Sequence, residues 1–91
     1  SSTLETTLAA LMSKGAFEIV LDLNDVGYLA SAGVGVLISA QSRTKEHHGN
    51  VVLMNVQSPV EAVLEILGIR ELFQVVNDRA SALRCFTQHV A

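Results

Sequence analysis

The chain has 91 residues, 49 % of them hydrophobic and 4 % aromatic, and it carries a net charge of −3 at pH 7. This length suits one small domain with an aliphatic core and excludes a chain of two domains. The six lysine and arginine residues are scattered, and without a basic stripe the pattern argues against a nucleic-acid partner. A single cysteine, the lack of a membrane-length apolar run and the lack of a signal peptide favour a cytoplasmic protein.

Apolar periodicity predicts a helix, a strand and a longer helix in the first half of the chain. Leu4, Leu8 and Leu11 recur at helical spacing and form the stripe of the first helix. Residues 17–23 are almost continuously apolar, as in a strand buried on both faces of a parallel sheet. The second helix is predicted from about Ala32 to His47.

A strand and a third helix are predicted next. Residues 51–56 have the β-branched, apolar composition of a buried strand. Ser58 is expected to be the N-cap of the helix that follows, with Pro59 at its first position. The inward stripe of this helix consists of Val60, Val63, Leu64 and Leu67.

The last strand and helix complete an alternation of four helices and three strands. Residues 74–76 form a short strand, and Asn77 or Asp78 caps a helix that reaches about His89. Its stripe consists of Leu83, Phe86 and Val90. Alternation at this spacing predicts an α/β fold whose mainly parallel strands are joined by right-handed helical crossovers. The first strand would leave an open sheet edge, so we expect further chain before residue 1.

Ser31 lies where the loop after the first strand meets the second helix. Two roles stay open for its hydroxyl. It can cap a free backbone amide of the first helical turn, or it can carry a phosphate stabilised by those amides and by the helix dipole. Gly33 and Gly35 are poor helix formers, so they indicate close approach of the strand beneath or of a partner above. Small residues around an exposed serine favour a binding module.

No arrangement of residues favours an enzyme, a cofactor or a bound metal. Leu29 stands where a hydrolase nucleophile turn around Ser31 needs glycine, and the glycines that follow lack the third glycine of a dinucleotide fingerprint. The two adjacent histidines that end the second helix do not face one site. Asp22 and Asp25 are expected to form local hydrogen bonds rather than to act on the serine.

The stretch from Leu21 to Leu37 resembles the signature of STAS domains, the family of the anti-sigma factor antagonists. The family pattern is leucine-aspartate-leucine, a turn, an aromatic residue, and then aspartate-serine-serine/threonine-glycine-leucine-glycine. The resemblance extends over nearly all of residues 4–87. It departs from the family in two ways. The usual β-hairpin is missing before the first helix, and Ala30 and Ala32 replace the aspartate and the second hydroxyl residue.

The resemblance implies one STAS domain over residues 1–91, incomplete at its N-terminus, that acts as a partner switch. The unphosphorylated domain would bind an anti-sigma factor that is also a serine kinase, and so release a sigma factor. Phosphorylation of Ser31, which matches the family's phosphorylated serine, would abolish binding, and a phosphatase would restore it. The surface expected to bind the partner consists of Asp25, Tyr28, Ala30, Ser31, Ala32, Gly33, Val34 and Gly35.

Three alternatives stay open. STAS-like domains also serve as regulatory or scaffold modules of anion transporters, lipid-transport ABC systems and stress-sensing complexes, in some of them without phosphorylation. The substitution at Ala30 raises this alternative. An enzyme that uses Ser31 as its nucleophile would lack a base. A structural homodimer could form through the open sheet edge.

Overall fold

Helices and strands alternate in the predicted order. A computed structural model describes residues 2–87, with side chains described for residues 3–86. The elements are α1 (Ser2–Ser13), β1 (Glu18–Asp22), α2 (Ser31–Glu46), β2 (Asn50–Met54), α3 (Ser58–Ile66), a 3₁₀ turn (Arg70–Leu72), β3 (Gln74–Val76) and α4 (Arg79–Thr87). His89 and Val90, which were predicted to belong to α4, lie outside the described residues. No helix within residues 2–87 has both the length and the apolarity that a membrane crossing requires.

The three strands form one parallel sheet in the order β1-β2-β3. Val20 of β1 pairs with Val52 of β2, which in turn pairs with Gln74 of β3. Right-handed crossovers that progress in one direction along the sheet place α2 and α3 on the same face. The predicted α/β class with a parallel sheet is therefore confirmed, and β1 lies at a sheet edge.

The sheet is covered by helices on both faces, which explains why its strands are almost continuously apolar. The larger core joins one face to α1, α2 and α3. Its fully buried side chains are Leu8, Leu37, Val51, Leu53, Val60 and Leu64. On the opposite face Val52 packs against Ala82 and Cys85 of α4. Each fully buried aliphatic side chain in these cores contributes about 1.5–3 kcal/mol to the free energy of unfolding.

Two predicted helix ends are confirmed at glycines in the left-handed conformation. Gly15 follows α1 with a φ of 82°, and Gly68 follows α3 with a φ of 73°. After Gly68 the chain folds back, because the amide of Ile69 donates to the carbonyl of Leu64 at 3.0 Å. Glycine adopts this conformation without the steric penalty of a side chain, so both helices end sharply and the next segment returns to the sheet.

Three positions predicted for the helices are wrong. Ser58 is the first residue of α3, and the N-cap is Gln57, whose extended backbone ends the preceding loop. Leu67 lies past the last turn of α3 and is 54 % exposed. Leu83 is 50 % exposed, because α4 packs its smaller residues against the sheet instead.

Gln41 anchors α2 to the sheet through hydrogen bonds of its side-chain amide. Its side chain is 5 % exposed, and its Oε1 accepts a hydrogen bond from the amide of Val51 at 2.7 Å. Its Nε2 donates to the carbonyl of Leu72 at 2.7 Å and to Oδ1 of Asn50 at 2.8 Å. The hydroxyl of Thr44 donates to Gln41 Oε1 at 3.0 Å. A buried amide with all these partners holds the last turns of α2 at a fixed distance from β2 and the 3₁₀ turn.

Asp78, one of the two predicted candidates, caps α4. The amide of Ser81 donates to Asp78 Oδ1 at 2.7 Å, and the amide of Ala82 donates to the Asp78 carbonyl at 3.1 Å. The backbone hydrogen bond from Ser81 lowers the pKa of the Asp78 carboxyl below its ordinary value of 3.8, and the Ser81 hydroxyl and Arg84 lower the pKa further. The start of α4 is thus a helix end whose free amides have a side-chain acceptor.

Candidate functional site

The candidate site lies at the carboxyl end of β1, where a loop of residues 23–30 leads into α2. Two buried leucines, Leu23 and Leu29, hold this loop against the core. The amide of Leu23 donates to the carbonyl of Met54 at 2.8 Å, which ties the start of the loop to β2. Between these two anchors Tyr28 is 77 % exposed. The loop therefore has a fixed inner side and an outer side that carries an aromatic residue.

Ser31 is the first residue of α2, and the predicted N-cap role of its hydroxyl is wrong. The N-cap is Ala30, whose backbone is extended (φ −79°, ψ 164°) and whose carbonyl accepts the amide of Val34 at 3.0 Å. The side chain of alanine has no acceptor, and within the described chain no side chain caps this helix end. The first turn of α2 also has no acidic residue. The amides that follow Ala30 are therefore left for water or a ligand.

The eight residues predicted to bind a partner divide into an exposed set and a buried pair. The exposed residues are Asp25, Tyr28, Ala30, Ser31, Ala32 and Gly35. Gly33 and Val34 are buried on the inner face of α2. A Cβ atom added at Gly35 would meet nothing within 4 Å, so close approach of the strand does not explain this glycine. The contact of Gly35 with an external partner stays a prediction.

The carboxylates near the site form local hydrogen bonds, as expected. Asp22 Oδ1 accepts the amide of Asn24 at 3.0 Å and the side-chain amide of Asn55 at 3.4 Å. Asp25 Oδ1 accepts the side-chain amide of Asn24 at 3.4 Å. The side chain of Gln57 donates to the carbonyl of Asn24 and closes the cluster. These bonds shape the loop before Ser31, and none of them reaches the Ser31 hydroxyl.

The histidines lie at the far end of α2. His47 is the C-cap of the helix, and its ring stacks on Phe17 with 3.8 Å between the ring centroids. At 1.5 Å per residue, the helix separates His47 from Ser31 by roughly 24 Å. The neighbouring His48 adopts a φ of 62° in the turn that follows. Neither histidine is near enough to activate Ser31, and His89 lies outside the described residues.

The sequence did not reveal an apolar groove beside Ser31. The groove lies between the start of α2 and the end of α3, with a volume of about 260 Å³. Its lining consists of Tyr28, Leu29, Ser31, Val34, Val63, Ile66 and Leu67. Ile66 is 82 % exposed, the largest value among the exposed bulky apolar residues of the described chain. One signal was available: Ile66 falls outside the predicted inward stripe of α3, and an apolar residue off the stripe needs a separate explanation.

Comparison with known proteins agrees with this fold. The profile of the family described as "Mlab, STAS domain" matches residues 1–76. BtrV of Bordetella bronchiseptica, named as an anti-sigma factor antagonist, is 36 % identical over 83 residues, which cover 91 % of this chain and 72 % of that protein. An anti-sigma-B factor antagonist of Staphylococcus epidermidis is 22 % identical over 79 % of this chain and 67 % of its own length.

A solved structure shows the same fold. The crystal structure of a Thermotoga maritima protein described as an anti-sigma factor antagonist superposes with a TM-score of 0.85 and 19 % identity. The match covers 96 % of this chain and 78 % of that one. The chain therefore belongs to the STAS domain family of anti-sigma factor antagonists.

Proposed function

We propose that this protein is a phosphorylation-controlled partner switch. In its unphosphorylated form it binds an anti-sigma factor that is also a serine kinase, and it thereby releases a sigma factor. Phosphorylation of Ser31 abolishes binding, and a phosphatase restores it. The observation that carries the proposal is the position of Ser31, which is exposed at the first residue of a helix whose N-terminal amides no described side chain caps.

Electrostatics supports a switch that leaves the fold intact. A phosphate on Ser31 adds about −1.5 to −2 charges at neutral pH. The free amides and the positive end of the α2 dipole stabilise such a charge. No acidic residue lies in the first turn of α2 to oppose it. Phosphorylation is therefore compatible with the folded domain, and its main effect falls on binding.

The same charge is incompatible with a close protein contact at this surface. The exposed residues around Ser31 include Ala30, Ala32 and Gly35, which offer backbone and methyl groups rather than cations. A partner that packs on them would have to remove water from a dianion that gains no cation in return, which costs several kcal/mol. This surface, taken as the binding site, thus accepts the partner only while Ser31 is unmodified.

A regulatory or scaffold module without phosphorylation is the second candidate. It is favoured by Ala30 and Ala32, which replace the aspartate and hydroxyl residue of the family pattern beside Ser31. These replacements bear on recognition by a kinase but leave the phosphorylatable hydroxyl in place. The two candidates differ in whether a change at Ser31 alters partner binding.

We also propose that residues 1–91 form one STAS domain that binds without catalysis.

A homodimer that pairs two β1 edges is less favourable than a complex with the anti-sigma factor. The ends of β1 carry the exposed carboxylates of Glu18 and Asp22. A two-fold antiparallel pairing centred on Val20 would set these two residues opposite each other, and like charges so placed destabilise a strand pair.

The test begins with capture of partners from native lysate by the wild-type protein and by Ser31→Ala and Ser31→Glu. Mass spectrometry identifies the captured anti-sigma factor and the phosphorylation state of Ser31. We expect wild type and Ser31→Ala to capture one kinase-like anti-sigma factor. With that partner purified, Ser31→Glu should bind at least about 30-fold more weakly, which corresponds to roughly 2 kcal/mol.

A matched control separates a local charge effect from a general one. Ser42→Glu places the same charge on an exposed serine of α2 about three turns away, and it should bind like wild type. Circular dichroism should show that all variants are folded. Equal binding of a transport or scaffold protein by all variants, with Ser31 unmodified, would move the assignment to the second candidate.

A further inference from the structure

Three bulky apolar side chains surround Ser31 without a partner in the described chain. Tyr28, Ile66 and Leu67 are all more than half exposed, and they come from two separate elements, the loop before α2 and the end of α3. Together with Ser31 they line the groove between α2 and α3. Exposure of apolar side chains to water is unfavourable. A cluster of them beside the candidate switch residue therefore indicates a surface that binds a partner.

The size and chemistry of the groove limit what it can hold. Its volume of about 260 Å³ is below the roughly 300–1,000 Å³ typical of small-molecule sites. None of the seven lining residues is charged, and the buried Leu29 and Val34 contribute aliphatic surface to it. An uncharged bulky side chain of another protein fits these conditions, whereas a charged cofactor or nucleotide does not.

The groove is continuous with the surface assigned to the anti-sigma factor. Ser31 and Tyr28 belong both to that surface and to the groove lining. The same partner can therefore cover α2 and reach the end of α3 in one contact. Hot spots of protein interfaces are of this kind, with a bulky apolar side chain of one protein held in an apolar pocket of the other.

We propose that the anti-sigma factor inserts a bulky uncharged side chain into the groove between Ile66, Leu67 and Tyr28. Ile66 is the main anchor on this protein. The assignment rests on the proposed function, because it names a second part of the contact that phosphorylation of Ser31 controls. The phosphate acts on the groove directly, since Ser31 lies in its lining.

The uncharged lining of the groove explains why a phosphate would close it. None of the lining residues is a lysine or an arginine that could pair with a phosphate on Ser31. A phosphate on Ser31 can thus accept hydrogen bonds from the helix amides, but no cation of the groove lining pairs with it. It therefore stays hydrated at the rim of the groove. An apolar side chain cannot enter without removing that water.

The experiment measures binding of the purified anti-sigma factor, identified by the Ser31 capture, to the full chain by titration calorimetry. Ile66→Ala should bind at least about tenfold more weakly than wild type. Leu83→Ala is the matched control, because Leu83 is an equally bulky, exposed residue on α4, across the sheet from the groove. It should bind within about twofold of wild type, and both variants should keep the wild-type unfolding midpoint.

The outcomes separate this inference from the proposed function. If Ser31→Glu loses binding while Ile66→Ala and Leu67→Ala bind like wild type, the groove assignment is overturned and the switch stands. If neither Ser31→Glu nor Ile66→Ala changes binding, or if wild type binds no anti-sigma factor, both are overturned. Sedimentation tests a second copy as occupant: self-association that Ile66→Ala abolishes would also overturn the assignment.

Discussion

The polar groups at the two ends of α2 differ in their hydrogen bonding. Near the C-terminal end, Gln41 and Thr44 are buried and fully hydrogen-bonded to one another, to β2 and to the 3₁₀ turn. At the N-terminal end, Ala30 provides no cap, and Ser31 is exposed without a described hydrogen-bond partner. At the start of α4, by contrast, Asp78 supplies a side-chain cap.

A small domain can present an uncapped helix end without losing the position of that helix. A helix that is fastened at one end and packed along one face does not need local capping at the other end. Val34 and Leu37 bury the inner face of α2, and Gln41 fixes its distance from the sheet. The position of the uncapped start of α2 is thereby fixed by packing along the inner face of the helix and by the hydrogen bonds of Gln41 near its other end.

The largest effect on stability is expected when the fastened end is released. Gln41→Leu keeps the approximate volume but removes the acceptor of the buried Val51 amide and the donor to Leu72. Because an unsatisfied buried donor costs 1–3 kcal/mol, the free energy of unfolding should fall by about 2–3 kcal/mol. Urea unfolding checks this, with exposed Ser42→Ala as the control. A loss below about 0.5 kcal/mol would show that Gln41 does not anchor α2.

A cap added at the open end should stabilise the domain. Ala30 already has the extended backbone of an N-cap, so Ala30→Ser can place a hydroxyl acceptor next to the free amides. We expect a gain of about 1 kcal/mol, or roughly 5 °C in Tm for a domain of this size. Ala32→Ser, inside the first turn, is the control without cap geometry. An unchanged or lower Tm for Ala30→Ser would mean that these amides are already satisfied.

A smaller gain is expected from Gly35→Ala, coupled to a loss of binding. The added methyl group meets nothing within 4 Å, and alanine exceeds glycine in helix propensity by up to about 1 kcal/mol. Thermal unfolding should therefore show a modest rise in Tm. If Gly35 is kept for the anti-sigma factor, titration calorimetry should show weaker binding by the more stable variant. A variant that is both more stable and fully active would remove Gly35 from the binding surface.

The smallest effect is expected at the capped start of α4. The Ser81 amide holds the pKa of Asp78 below 3.8, so the ionised carboxyl adds stability above that pH and loses it as the pH falls through the lowered pKa. Asp78→Ala should lower Tm by roughly 2–5 °C at pH 7. The difference from wild type should shrink below about pH 3.8. A difference that is constant from pH 7 to pH 2.5 would contradict the electrostatic part of this cap.

The architecture was predictable because it depends on local patterns. Continuous apolar strands that alternate with striped helices gave the parallel sheet, and Gly15 and Gly68 end their helices as predicted. Helix starts were less predictable. Ser31 and Ser58 are each one residue inside the helix, because the backbone conformation of the preceding residue decides where the first intrahelical bond forms.

The missed features depend on contacts between distant residues or with other proteins. The partners of Gln41 include Leu72, 31 residues away, and helical periodicity shows only that Gln41 faces inward. Leu67 and Leu83 were placed in the core because an exposed leucine and a buried one look alike in a hydrophobic pattern. The groove was not predicted, because its lining comes from the loop before α2 and from α3; the one local signal was the position of Ile66 outside the inward stripe of α3.

Cys85 gives this domain a practical property. It is the only cysteine of the chain, it is 8 % exposed, and its thiol donates to the carbonyl of Ser81 at 3.5 Å inside α4. Thiol reagents should therefore react slowly with the native protein. One cysteine introduced at the exposed position of Leu83 would accept a fluorescent dye on the far face of the sheet. Such a probe could follow partner capture and release in real time while leaving Ser31 and its groove untouched.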